Sequence, residues 1–170
     1  ESLGAVFVGV TEEVNIEDSG GYAKEMTADS HQKELDLIHN YAKDADFIIT
    51  TALIPGKPAP ILLTKDIVSD MKPGSIVIDI AAESGGNCEL TKPGEQIIVN
   101  GVTILGPLNL PSTMPIHASQ MYSRNLVNLL DHLTNDGQLE LDLNDIITSG
   151  CCITNHGEIV NESTKAVMGI

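Results

Sequence analysis

Three loops rich in small residues, glycine and proline contain most of the side chains whose types suit chemistry. They occupy residues 52–60 (ALIPGKPAP), 81–88 (AAESGGNC) and 106–112 (GPLNLPS), and each follows a short apolar run. Such loops let the main chain approach a flat ligand closely and hydrogen-bond to it, which suits a nucleotide. Tight turns that bind nothing explain the same composition equally well.

Few side chains in these loops suit a direct part in a reaction. Glu83 stands just past a predicted strand end, where an active-site carboxylate or a plain surface glutamate is equally reasonable. Lys57, between two prolines, suits contact with a phosphate, and an exposed loop lysine is the alternative. Cys88 has no histidine beside it in the sequence, which favours a structural thiol. We therefore predict no catalytic side chain, and the cysteine and histidine spacing predicts no metal site.

The phosphate-binding loop typical of dinucleotide-binding folds does not occur in this sequence. The pairs Gly20-Gly21 and Gly85-Gly86 do not fit the pattern G-x-G-x-x-G. Without that loop no helix N-terminus is presented to a pyrophosphate. Asp79 and Glu12 lie near strand ends, but neither stands at the distance expected of the acid that holds an adenosine ribose.

Strand and helix patterns alternate along the chain and must position these loops. Short connections between alternating strands and helices predict a parallel α/β sheet with right-handed crossovers. A hairpin is predicted around Gly101, and a second at Asn155-His156-Gly157. Residues 11–26 have no period and predict a long mobile loop. Strands are predicted at 6–10, 47–51, 75–80, 97–100, 102–105, 139–143, 151–154 and 158–160, and helices at about 30–43, 65–71 and 113–133.

Composition excludes several classes of function. The net charge of −15 repels phosphate backbones, so we expect no nucleic-acid partner. No apolar run approaches the roughly 20 residues that span a bilayer. Three cysteines, two of them adjacent, make a poor disulfide framework and favour a reducing compartment.

Four segments resemble one known family. TTALIPGKPAP (50–60), IDIAAESGGNCEL (78–90), GGYAKEM (20–26) and the helix from 109 to 130 are similar to the NAD(H)-binding domain of proton-translocating NAD(P) transhydrogenase. That domain, domain I of the alpha subunit, is related to alanine dehydrogenase. The resemblance covers essentially the whole chain, in order.

The resemblance implies a partial fold. We expect the C-terminal part of a Rossmann-type parallel sheet lacking its first two strands, with a long return helix and a C-terminal β appendage. Residues 1–108 would belong to the NAD-binding subdomain, and 109–170 would return to an outer subdomain. The N-terminal half of the fold, with the G-x-G-x-x-G turn, would come from a companion chain or from the rest of a longer protein. The isolated chain would then be inactive.

The resemblance also implies an activity. NAD(H) would bind here and exchange a hydride with NADP(H) held on a partner domain, and a membrane domain would couple the reaction to proton movement. Direct hydride transfer needs no protein acid or base. The implied cofactor-binding residues are Tyr22 on the mobile loop, Thr51, Ala52 and Leu53 along the adenosine, and Ala81, Ala82, Glu83 and Asn109 towards the nicotinamide.

Further partners and alternatives follow from the same resemblance. The chain would form a homodimer and lie on the cytoplasmic or organelle-matrix side of a membrane, peripheral to it. One alternative is an alanine dehydrogenase-like NAD enzyme, in which Glu83 would align with a catalytic carboxylate. Another is a non-catalytic dimerisation or docking half-domain, for which the missing phosphate loop is the argument.

Overall fold

The structure, a computed structural model, describes residues 4–9, 28–54 and 56–169. The predicted mobile loop at 11–26, which includes Tyr22, lies outside the described residues, as does Val10. Within the described ranges, no helix is both long and apolar enough to cross a membrane.

A four-stranded, mainly parallel sheet forms the centre of the first half of the chain. The strand order is β1-β2-β4-β3, with β1, β2 and β4 parallel and β3 antiparallel to β4. This sheet and its helices confirm the α/β class. The elements are α1 (Ala28–Ala42), β1 (Phe47–Thr50), α2 (Lys65–Ser69), β2 (Ile76–Asp79), a 3₁₀ turn (Ala82–Ser84), β3 (Gln96–Val99) and β4 (Val102–Leu105).

The hairpin between β3 and β4 is confirmed and turns at Asn100 and Gly101. Their φ angles are +52° and +82°, the left-handed region that a two-residue hairpin turn requires. A Cβ on Gly101 would lie 2.9 Å from the Cβ of Pro73, so glycine also permits this close approach.

One face of the sheet carries the hydrophobic core. Side chains alternate between the faces of a strand, and Val77 and Ile104 point to the packed face, where they are almost fully buried. The core is completed by residues from α1, α2 and the segments just before and after α2: Ala42, Leu63, Ile67, Val68 and Met71. The opposite face is open, since Phe47 and Ile49 on the edge strand β1 are 68% and 61% exposed.

The predicted strand at 6–10 is wrong for its described part. Residues 5–9 have no regular secondary structure, and Val6 and Phe7 are more than four-fifths exposed. A strand forms only beside a hydrogen-bonded neighbour, and the described sheet pairs none of its strands with this run.

The predicted helix at 113–133 is confirmed as α4 (Pro115–His132), to within two residues at its start and one at its end, and a short helix, α3 (Leu110–Thr113), precedes it. Met114 lies between them at φ −130° and ψ 57°. A proline disfavours the helical conformation of the residue before it, so Met114 separates α3 from α4, and α4 begins at Pro115.

The chain divides into two compact units, one up to Leu110 and the other from Pro111. In the second unit the predicted strands at 139–143 and 151–154 are largely wrong, since only Leu139 and Thr154 lie in strands. Cys151 instead ends α5, which begins after Asp145, whose carboxylate accepts a hydrogen bond from the N–H of Thr148. Two short hairpins remain, and the predicted turn at Asn155-His156-Gly157 is confirmed. The elements are α4, β5 (Thr134–Asn135), β6 (Gln138–Leu139), α5 (Ile146–Cys151), β7 (Thr154–Asn155), β8 (Glu158–Ile159) and α6 (Glu162–Met168).

Candidate functional site

The three glycine- and proline-rich loops leave the sheet at the same edge. β1, β2 and β4 are parallel, so their carboxyl ends lie side by side. This edge is where open α/β sheets bind ligands.

Asp79, the last residue of β2, organises the loop that follows it. Its side chain has no exposed surface, and a buried carboxylate is stable only when its oxygens are hydrogen-bonded. Five donors satisfy it. Oδ1 accepts from Thr50 Oγ1 at 3.0 Å and Ala81 N at 3.1 Å, and Oδ2 accepts from Asn87 N at 2.8 Å, Cys88 N at 3.0 Å and Thr91 Oγ1 at 2.6 Å.

Asn87 joins this loop to the loop after β1. Its side chain is also fully buried. Oδ1 accepts the N–H of Ala52 at 2.9 Å, while Nδ2 donates to the carbonyl oxygens of Ala52 at 2.9 Å and Pro60 at 2.7 Å. One amide group therefore holds the loop of residues 52–60 at both of its ends.

Gly86 allows the main chain to pass close to Asp79. Its φ is +85°, and a Cβ there would lie 2.7 Å from Asp79 Oδ2 and 3.1 Å from the Cβ of Thr91. Gly85 has an even larger positive φ of +102°, but a Cβ there would meet nothing within 4 Å. Crowding thus requires glycine only at position 86, whereas backbone conformation favours it at both.

Glu83 connects the loop after β2 to the loop after β4. Its side chain is exposed on the 3₁₀ turn, and its carboxylate accepts a short hydrogen bond from the N–H of Asn109, which has a φ of +49°. Through Asn87 and Glu83, the structure brings all three loops of the sequence prediction together.

A cleft of about 610 Å³ opens between the loop after β1 and the turn after β2. This volume lies within the range of small-molecule sites. Its lining combines three apolar side chains with one lysine and three small residues: Leu53, Ile54, Gly56, Lys57, Pro58, Ser84 and Gly85.

The residues predicted to bind cofactor occupy different environments. Thr51 and Leu53 are exposed in the loop after β1, and Leu53 lines the cleft. Ala81 and Ala82 are each 1% exposed, so their side chains belong to the interior. Their role in binding a cofactor remains a prediction, as does that of Tyr22, which lies outside the described residues.

Sequence reasoning missed the two residues that tie the loops together. It weighed Asp79 only as an acid for a ribose, but the structure turns that carboxylate inward, with no surface left for a ligand. Asn87 was not singled out. The available signal was a charged residue inside an apolar strand, followed eight positions later by an asparagine behind two glycines.

Cys88 lies in the core, where desolvation raises the pKa of its thiol. A thiol with a raised pKa is a weak nucleophile at neutral pH. The interpretation of Cys88 as a structural residue therefore agrees with its surroundings. Cys151, by contrast, ends the helix α5 and is exposed, where a strand thiol was expected.

Comparison with known proteins identifies the family. Residues 2–162 match the family described as "Alanine dehydrogenase/PNT, C-terminal domain". The chain belongs to this family. Within the alanine dehydrogenase/PNT family, it is 44% identical over 165 residues to an NAD(P) transhydrogenase subunit alpha of Rhodospirillum rubrum, covering 95% of this chain and 43% of that protein.

Solved structures agree with this assignment. The transhydrogenase of Sinorhizobium meliloti superposes with a TM-score of 0.64 at 36% identity, covering 85% of this chain and 39% of that one. An L-alanine dehydrogenase superposes with a TM-score of 0.63 at 27% identity, covering 79% and 38%. The chain thus spans less than half the length of these relatives, and alanine dehydrogenase is the more distant of the two.

Proposed function

We propose that this chain is the NAD(H)-binding component of a proton-translocating NAD(P) transhydrogenase. The observation that carries the proposal is the joining of three loops at the carboxyl edge of the sheet, beside a cleft large enough for part of a nucleotide. The similarity to transhydrogenase alpha subunits supports it. A partner domain would hold NADP(H), and a membrane domain would couple the reaction to proton movement.

In this proposal, the loop after β1 binds the adenosine portion. Thr51, Ala52 and Leu53 lie along it, and the apolar lining of the cleft at Leu53 suits an adenine ring. Tyr22 would close over the bound nucleotide.

The nicotinamide portion is assigned to the loops after β2 and β4. There the hydrogen bond between Glu83 and Asn109 sets the distance between the two loops. Ala81 and Ala82 would contribute through their main chain, because their side chains are buried.

The chain fits this cofactor in part. Small residues such as Gly85 line the cleft and admit close contact with a flat ring. Because no G-x-G-x-x-G turn occurs in the sequence, the pyrophosphate would be held outside this chain. The bound dinucleotide supplies the hydride, while this chain's residues orient the ring and exclude water.

A second portion of the fold would supply the phosphate loop. The open face of the sheet supports this idea, because Phe47, Ile49 and Ile98 leave an apolar surface exposed there. Large exposed apolar patches mark interaction sites. The relatives are more than twice as long as this chain, so we propose that the remaining half covers this face.

Two assignments rest on the resemblance alone: a homodimer, and a position on the cytoplasmic or matrix side of a membrane. Sedimentation of the complete domain tests the first. A monomer at micromolar concentration would contradict it.

The decisive experiment is a titration with NADH, followed by nucleotide fluorescence, of the chain with and without the N-terminal half of a relative's domain. We expect binding only when that half is present. Absence of binding in both cases would overturn the proposal and favour a non-catalytic docking half-domain, which the same exposed sheet face would also suit.

An alanine dehydrogenase is the second candidate, because Glu83 lies at the loop edge where that enzyme's catalytic carboxylate would align. Oxidation of NADH dependent on pyruvate and ammonia would establish it. The variants Glu83→Gln and Glu83→Ala separate the two. If Glu83 only positions the loops, Glu83→Gln should keep more NADH affinity than Glu83→Ala, because a glutamine still accepts a hydrogen bond from the Asn109 N–H. If Glu83 is a catalytic carboxylate, both variants should abolish the pyruvate- and ammonia-dependent oxidation of NADH.

A further inference from the structure

We infer that Asp79 and Asn87 are positioning residues of the nucleotide site, which set the main chain of the loops after β1 and β2 without touching the ligand. The inference rests on the proposed function. Both side chains have no exposed surface, so any effect on a ligand must pass through the loops they hold.

The first step is the pair of hydrogen bonds between the Asn87 side chain and Ala52. The Asn87 amide binds both the N–H and the carbonyl oxygen of Ala52, as a neighbouring strand would. Two bonds to one residue fix the orientation of its peptide groups as well as its position. Ala52 lies between Thr51 and Leu53, the residues assigned to the adenosine.

The second step is that the two carboxylate oxygens of Asp79 bind different segments of the chain. Oδ1 binds the end of β1 through Thr50 and the start of the loop after β2 through Ala81, while Oδ2 binds the returning part of that loop through Asn87, Cys88 and Thr91. The carboxylate therefore fixes the loop relative to the sheet.

The third step joins the two groups. The main-chain N–H of Asn87 donates to Asp79 at 2.8 Å, so a continuous path of hydrogen bonds runs from the end of β2 to Ala52. Gly85, which lines the cleft, lies inside the segment that this path closes. A disturbance at Asp79 or Asn87 should therefore move both walls of the cleft.

The test measures both NADH affinity and thermal stability, using this chain together with the N-terminal half of a relative's domain. Asn87→Ala removes both hydrogen bonds to Ala52. Thr91→Val removes one hydrogen bond to Asp79 with little change of volume, and Thr91→Ser restores the hydroxyl. The matched control is Ser75→Ala, which removes the 2.7 Å bond from Ser75 Oγ to the Lys72 carbonyl at the opposite end of β2.

We expect Asn87→Ala to raise the Kd for NADH by about tenfold or more, because small displacements of positioning groups are costly. Thr91→Val should raise it less, and Thr91→Ser should restore it. Ser75→Ala should lower the Tm and leave the Kd unchanged. In the assembled enzyme, Asn87→Ala and Thr91→Val should raise the KM for NADH and leave the KM for the NADP(H) nucleotide constant.

The outcomes separate this inference from the proposed function. Failure of the unsubstituted protein to bind NADH overturns the proposed function itself. If it binds, and both Asn87→Ala and Thr91→Val lower the Tm with a Kd within about twofold of the original, the two residues only stabilise the fold. Should Asn87→Ala fail to fold, the comparison of Thr91→Val with Thr91→Ser decides.

Discussion

Replacing Gly86 with alanine gives the sharpest test of how the loop after β2 is built. At φ +85° an alanine is strained, and its Cβ would lie 2.7 Å from Asp79 Oδ2. A methyl carbon and a carboxylate oxygen cannot approach so closely, so the carboxylate must move. Asp79 would then lose some of the hydrogen bonding that compensates its burial.

The structure provides a control for the backbone strain. Gly74 has a similar φ of +95°, but a Cβ there would meet nothing within 4 Å. Gly74→Ala should lower the free energy of unfolding only by the cost of placing alanine in the left-handed conformation, about 1–2 kcal/mol. The gain from reducing the entropy of the unfolded chain is the same in both variants and cancels.

The difference between the two variants isolates the contact with Asp79. Weakening one hydrogen bond to a charged, buried group costs about 1.5–3 kcal/mol. We therefore expect Gly86→Ala to lower the free energy of unfolding by about 2 kcal/mol more than Gly74→Ala does. Urea unfolding followed by circular dichroism measures both values. Equal losses in the two variants would refute the reasoning, because the crowding at Asp79 would then have no energetic effect.

Three further outcomes are expected. Thr64→Ala should destabilise the protein by about 1 kcal/mol in urea unfolding, because the Thr64 hydroxyl caps α2, and Thr64→Ser should not. Cys88 should resist a thiol reagent at neutral pH until the protein unfolds, since burial raises the pKa of its thiol, while the other two cysteines, exposed or half-buried, react first. The N–H of Thr148, and then the side chain of His132, lower the pKa of Asp145 from 3.8 to about 2. Its stabilising effect is therefore complete above about pH 4 and lost as the pH falls through 2. Carboxyl NMR titration should show that midpoint, and a midpoint near 4 would contradict the cap.

Much of the fold follows from local patterns in the sequence. Short apolar runs predicted β1, β2 and β4, since strands buried in a parallel sheet contain few polar residues. Asn100-Gly101 predicted the hairpin, because both residues accept the left-handed conformation. The predicted helix at 65–71 begins where α2 begins, after Thr64, whose hydroxyl caps it. Each of these signals lies within a few residues of the structure that it determines.

The wrong secondary-structure predictions concern segments whose conformation depends on neighbouring parts of the chain. Residues 6–10 have the composition of a strand, but a strand needs a partner, and the described sheet gives it none. Strands were predicted at 139–143 and 151–154, but only Leu139 and Thr154 lie in strands, and the helix that Asp145 caps extends to Cys151. The predicted helix at 113–133 begins two residues later than expected, because Pro115 disfavours the helical conformation of Met114.

By itself, the sequence determined the parallel α/β class, the loops at the carboxyl ends of the strands and the resemblance to a family, since these depend on local composition and order. The tertiary structure alone decided which groups join those loops. Asn87 reaches Ala52 across 35 positions, and Glu83 reaches Asn109 across 26. Likewise, only packing turned Asp79 inward rather than towards a ligand. The physical reason is that a buried polar group takes its partners from whichever segments the core brings beside it, and no spacing along the chain specifies them.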